Sequence, residues 1–458
     1  MTVKILPAFV ISKMLLSLVS IANADILYVD NSESCPGTGS TTSPYCSLAI
    51  ATTNRQCGDI VKVRTGNKPY NETIMINKPS CPNNAPVVVQ AENGHQPILT
   101  SLAGRSVTAM FHLMNVSNWR VEGLIFDGKQ AGGNGTTSPQ SALMATARDV
   151  DMTGIVFRQN HIRNWALSKD ASLPSGAALA FQGNRNSFVL DSLITENIVE
   201  NVRGIGIHIR HTRNSMISQN DISKLLCKMQ GPSLDSLSSS VAGIRERNTT
   251  TTRDDPNSDT MDNVFEDNVI HDFPDSWTCA RESGWTASEG WVFGYWCDVG
   301  AKSGIVRGNN IFNIGYVPGK IQYGARGISF ESRCHGYTAE RNEISKIGGA
   351  GIEVRNANDA KILHNTIRDT RWLGVNLKDG ARAVIMNNIF STIQASGVHI
   401  ATKARQDGGH IIDHNFYDLV GRPGTIAGLI IPKTFAGWQQ ACHCESHGRM
   451  GDLLTNPE

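Results

Sequence analysis

The sequence predicts an all-β solenoid in which the chain coils into stacked parallel sheets. Two observations predict it. Asn342, Asn365 and Asn388 stand 23 residues apart, each followed within two residues by isoleucine. A fixed period of this size marks a stacked-repeat architecture. Between the asparagines lie short alternating runs, such as Gly-Ile-Gly-Ile-His-Ile-Arg (204–210) and Gly-Ile-Glu-Val-Arg (351–355). Their period of two indicates strands. A helical repeat needs about 33 residues or more, and no Leu-x-x-Leu-x-Leu signature is present. A parallel β-helix with one coil per repeat remains.

Residues 1–24 read as a secretory signal peptide. Lys4 and Lys13 precede the apolar run 14–21, and Ala22-Asn-Ala24 is a small-residue cleavage site. The apolar run is too short to span a bilayer, so no membrane span is expected. Ten cysteines fit export to an oxidising space, secreted or periplasmic. Cys35/Cys46, Cys57/Cys81 and Cys279/Cys297 are sequence-local pairs. Cys442-His-Cys444 with His447 has zinc-type residues but no second ligand cluster. Lys and Arg total 42 against 41 Asp and Glu. That balance excludes nucleic-acid binding driven by overall basicity.

Residues 25–105 form an N-terminal cap with the first coils, and Ser47–Asn54 could be a short helix closing the stack. Terminal coils need such cover because they expose a strand edge. Repeats fill 106–420. Asparagines at 160, 197, 220, 268, 310, 342, 365, 388 and 415 mark successive coils and should stack as a hydrogen-bonded ladder. The segment 421–458 is less regular, and Trp438 should lie against the stack. The longest intervals, 220–268 and 268–310, hold a Ser-rich stretch (232–240), an acidic loop (Asp254, Asp255, Asp259, Asp262) and a cluster of aromatic residues. Loops this long on a compact scaffold usually shape a site.

The Tyr-Val-Asp start at 28–30, the Gly-Asp-Ile-Val-Lys-Val-Arg run at 58–64 and the later Asn-x-Ile coils resemble right-handed parallel β-helix proteins of the pectate-lyase-like kind, over roughly 26–420. The resemblance implies an all-β, right-handed parallel β-helix with an N-terminal cap. It specifies activity poorly, since this scaffold carries lyases, hydrolases, epimerases and adhesins.

Alternation lets one outer face be built from sequence. Ile352 and Val354 point inward, so Glu353 and Arg355 point outward. The same count from each asparagine gives one column of His208, Arg245, Asp298, Ser329, Glu353, Asn376 and His399. A second holds Arg210, Arg247, Gly300, Glu331, Arg355, Lys378 and Ala401. Neighbours in a column stand about 4.8 Å apart. Five cations meet three carboxylates and two histidines. Solvated cross-strand ion pairs would each be worth little. Repulsion between Arg210 and Arg247, or Arg355 and Lys378, instead suits an anionic ligand. Trp291 and Tyr295, with Trp277, Trp285 and Trp296, offer aromatic faces for sugar rings, or anchor their own loop.

A straight cationic groove suits an acidic polysaccharide as the partner of a monomeric enzyme. The resemblance implies uronan processing, with β-elimination as the leading chemistry. Lys378 is the candidate base, Arg355 neutralises the substrate carboxylate, and His399 is an alternative acid or base. Some alginate-lyase-type β-helix enzymes pair Lys and Arg beside calcium. By that resemblance, Glu331 and Glu353 are candidate calcium ligands. Hydrolysis by Glu331 and Glu353 is the alternative, and a binding-only solenoid is a third reading.

Overall fold

A computed structural model describes residues 24–100, 108–128, 141–165, 177–227, 240–248, 260–283, 290–418, 420–431 and 433–451. The signal-peptide reading of 1–24 except for Ala24, the Ser-rich stretch up to 239, the acidic residues Asp254, Asp255 and Asp259, and Trp285 lie outside them. Three long parallel sheets of 13, 12 and 13 strands run the length of the molecule. Along the repeats, successive coils each add a strand to every sheet, as the period predicts. Inward Ile, Val, Leu and Phe form one continuous core. Each such side chain contributes about 1.5–3 kcal/mol on burial.

The bends are as regular as the strands. Gln159, Glu196, Gln219, Asp267, Arg341, His364, Asn387 and His414 all have positive φ, and each immediately precedes a ladder asparagine. Non-glycine residues take this conformation at a cost, which the ladder offsets. Asn342 donates its backbone N–H and Nδ2 to Asn365 Oδ1 at 3.0 and 2.9 Å, and Asn365 repeats both bonds to Asn388. One rung differs from the sequence reading. Asn309, not Asn310, accepts from Asn268. Asn310 starts the next strand and pairs with Val269 and Glu343. The ladder ends on a carboxylate: Asn415 donates to Glu445 Oε1 and Oε2.

The 12-stranded sheet contains a glycine file: Gly206, Gly243, Gly294, Gly327, Gly351, Gly374 and Gly397. A Cβ on Gly243 would lie 2.6 Å from the Ile270 side chain and 2.7 Å from the Gly294 carbonyl oxygen. Only glycine allows this close approach. Both ends are covered. The helix Leu48–Asn54, capped by Ser47, fulfils the N-terminal expectation. Helix Phe435–Cys442 seats Trp438, fully buried, against Gly424 of the last strand.

Cys35–Cys46 and Cys57–Cys81 are bonded as expected. The expected Cys279–Cys297 bond is replaced by Cys227–Cys279 and Cys297–Cys334. Stacking brings together residues a full coil apart, which sequence proximity does not reveal. Cys442 and Cys444 bond to each other, which removes both thiolates from any zinc site.

Candidate functional site

The columns assemble on the 12-stranded sheet largely as counted. Its strands include Ile205–Arg210, Val241–Arg247, Val292–Cys297, Ala325–Glu331, Ala350–Arg355, Leu373–Leu377 and Ser396–Ile400. His208 pairs with Arg245, and Trp296 with Ser329, then Glu353, Asn376 and His399. Arg210 pairs with Arg247, and Glu331 with Arg355. Lys378 continues that second column through its bond to the Val354 carbonyl.

Two positions are corrected. Trp296 holds the place in the first column expected for Asp298, and Asp298 belongs to the second column, two residues before Gly300. Gly300 lies in a turn beyond the strand. The long insert before Val292 hides the register. Tyr295 is not an exposed sugar platform. It is buried in the coil interior, and its hydroxyl donates to Glu246 Oε2 at 2.6 Å.

A third outward file was missed: Ile205, Ala242, Phe293, Arg326, Ala350, Leu373 and Ser396. It lies just before the glycines, where a simple alternation started after the glycine does not reach. Arg326 is its charged member, and it lies beside the acids. Its Nε is 3.0 Å from Glu353 Oε2, which also accepts from Asn376 Nδ2 at 2.7 Å. Glu353 Oε1 is buried with no hydrogen-bond partner among the described residues. On the preceding coil, Glu331 Oε1 accepts from Ser329 Oγ at 2.8 Å. Burial, reinforced by the charge of Glu353, pushes the Glu331 carboxyl up, and Arg326, Ser329 and Arg355 only partly oppose it. Glu331, on the strand paired with that of Glu353, is therefore biased towards keeping its proton.

Trp291, Phe293 and Trp296 stack in parallel, with centroids 6.2 and 4.4 Å apart. Arg245 lies 4.4 Å over Trp296, and Arg326 and Arg355 lie 5.3 and 5.8 Å from Trp291. The stack orients guanidinium groups by cation–π attraction. Arg245 is buried and paired with Asp298, whose Oδ2 is also 3.5 Å from Arg247. Arg210 is half-buried with no ion pair among the described residues. Burial and the charges of Arg247 and Arg245 push its guanidinium below its ordinary value. Lys378 is exposed at the edge of the second column.

His399 lines a cleft of about 360 Å³ at the C-terminal end of the same face, with Leu373, Ser396, Trp372, Arg422, Thr425 and Lys433. Its Nδ1 is 2.8 Å from Thr425 Oγ1, and burial lowers its pKa. A calcium ion held by Glu331 and Glu353 would have to displace the Arg326 guanidinium, 3.0 Å from Glu353 Oε2, and the Asn376 amide that donates to the same oxygen.

Residues 143–415 match the family model described as the right-handed β-helix region. This chain belongs to the right-handed β-helix family. Among solved structures, this β-helix protein is similar to the A-module of the Azotobacter vinelandii mannuronan C-5 epimerase AlgE6. Identity is 13%, coverage is 88% of this chain and 92% of that one, and the TM-score is 0.48. XylC in complex with xylose shows 11% identity, 88% and 86% coverage and a TM-score of 0.49. The GH136 lacto-N-biosidase of Eubacterium ramulus shows 12%, 88% and 67%, and 0.45. Identities this low speak to the fold of this β-helix protein alone. No curated protein matches it in sequence.

Proposed function

We propose that this chain is an exported, monomeric enzyme that cleaves an acidic, uronate-containing polysaccharide by hydrolysis on the face of the 12-stranded sheet. The observation that carries the reading is the buried Glu331/Glu353 pair beneath a cationic surface. Arg210, Arg245, Arg247, Arg326, Arg355 and Lys378 outnumber Asp298, Glu331 and Glu353. The surplus suits a polymer with regularly spaced carboxylates. The disulfides support export.

In this reading Glu331 is the general acid. Burial biases its carboxyl towards the protonated form, the form that can protonate the departing glycosidic oxygen. Glu353 is the base: its carboxylate takes a proton from water as the water oxygen bonds to the anomeric carbon and the C–O bond breaks. Glu331 is left ionised and Glu353 protonated, and proton exchange with solvent resets both. Arg326 and Asn376 hold Glu353 in place. Arg210, Arg247 and Arg355 bind uronate carboxylates. No metal is assigned to the acids.

A second reading is β-elimination, favoured by the register that sets Lys378 beside Arg355. Lys378 would remove the C5 proton and Glu331 would protonate the leaving 4-oxygen.

The test is to incubate the protein with alginate, pectate, ulvan and glycosaminoglycans, following reducing ends and the ultraviolet absorbance of unsaturated uronates together. Hydrolysis gives reducing ends without absorbance. Elimination raises both, and absence of cleavage on every polymer rejects both readings for those substrates.

A further inference from the structure

We propose that Asp413, His414 and His447 bind one divalent transition-metal ion, zinc being the best suited, which clamps the C-terminal cap to the last coil. The ligands come from two separate stretches of chain. Asp413 ends the strand Ile411–Asp413, and His414 is the positive-φ residue before the last ladder asparagine. His447 follows helix Phe435–Cys442 in the cap. One ligand atom from each lies within 4.8 Å of the others. His447 Nδ1 is 2.8 Å from Asp413 Oδ2, and His414 Nδ1 is 3.5 Å from the same oxygen. A tetrahedral zinc ion with bonds of about 2.0–2.1 Å holds its donor atoms roughly 3.3–3.4 Å apart. The two separations from Asp413 Oδ2 therefore already bracket that spacing.

The chemistry of the set agrees. Two imidazoles and a carboxylate, with a fourth position open to water, suit zinc, copper or nickel rather than calcium or magnesium. The cap already holds the Asp413 carboxylate: the His447 backbone N–H and Ser446 Oγ donate to it at 2.7 and 3.0 Å. The imidazoles stack 4.5 Å apart at 18°. The neutral imidazole is the metal-binding form.

An exposed His–Asp pair is worth little to the fold by itself. The position of this triad gives it a task. Glu445, two residues before His447, accepts the last rung of the asparagine ladder. An ion joining His447 to Asp413 and His414 would hold that acceptor in register. Closing a link between distant segments stabilises a fold through binding free energy.

Tag-free protein, stripped with chelator, is titrated with zinc by calorimetry. The expected result is one ion per chain, with affinity falling roughly tenfold or more in both His414→Ala and His447→Ala. Zinc should also slow hydrogen exchange at residues 443–450 in the wild type. Cobalt(II), used as a probe, should give the visible bands of a tetrahedral site, lost in His447→Gln. Absence of saturable binding by the wild type, or affinity unchanged in both alanine variants, overturns the proposal. Circular dichroism of each variant identifies a loss that comes from misfolding. Should one misfold, the wild-type stoichiometry and cobalt spectrum decide.

Discussion

Two polar files run along this molecule, and they are built on opposite terms. The asparagine ladder is complete. Asn365 Oδ1 accepts two bonds from Asn342, and its Nδ2 donates to the Ala339 carbonyl and to Asn388. The face of the 12-stranded sheet is incomplete. Glu353 Oε1, Arg210 Nε, Arg247 Nε and Trp296 Nε1 are buried without hydrogen-bond partners among the described residues. Buried polar groups are normally paired, and an unpaired one costs about 1–3 kcal/mol. The proposed function rests on this contrast: the complete file serves as scaffold, and the open one is where a ligand is proposed to supply the missing partners.

The comparison breaks most decisively at Glu331. Glu331→Gln should lower turnover on the responsive polymer by roughly 10²–10⁴-fold, measured as reducing ends. The thermal midpoint should hold or rise, because a buried ionisable group is gone. At the ladder the effects should reverse. Asn365→Ala strips both Asn342 donors of their acceptor and should cost about 2–5 kcal/mol, read from the urea midpoint, while residual folded protein keeps its kcat.

Arg210→Ala with Arg247→Ala should raise KM about tenfold or more with little change in kcat. The wild-type KM should also climb with salt, as expected where polyanion charge is being read. Chelator should leave turnover unchanged while lowering the thermal midpoint of zinc-loaded protein.

The smallest effect concerns pH. Deprotonation of Glu331 ends its role as acid, so kcat/KM should fall as pH rises through its raised pKa. Arg355 is among the groups that lower that pKa. Arg355→Gln should therefore move the alkaline limb to higher pH, whatever it does to KM. Stability follows the same sign. A carboxyl whose pKa is raised on folding contributes fully below its unfolded value and loses that contribution as pH rises through the folded value. Glu331 has a raised value, so its own share of the stability declines as pH rises towards neutrality and above, and the midpoint difference between Glu331→Gln and wild type should grow in the variant's favour over that range. A difference that shrinks as pH rises would contradict the assignment.

Much of this was legible in the sequence wherever the period was uninterrupted. From Asn342 through the coil that follows Asn388, the count of outward positions places Glu353, Arg355, Asn376, Lys378 and His399 correctly, because a strand side chain has only two directions. Across inserts the count loses its anchor. Asp298 slipped by two positions and Asn310 stood in for Asn309. Arg326 was hidden because the glycine file puts two successive residues on the inner side, which restarts the alternation. Glu445 carries no repeat signal, since it enters from the cap to end a ladder made of asparagine. Which atoms remain unpaired depends on side-chain geometry across coils, and no spacing in the sequence encodes it.

The most direct measurement compares wild type and Glu331→Gln on one uronan, following reducing ends and ultraviolet absorbance in the same reaction beside a thermal melt. The account predicts reducing ends without new absorbance for the wild type, no turnover for the variant, and equal or higher stability. Cleavage that persists in a folded Glu331→Gln protein would contradict it.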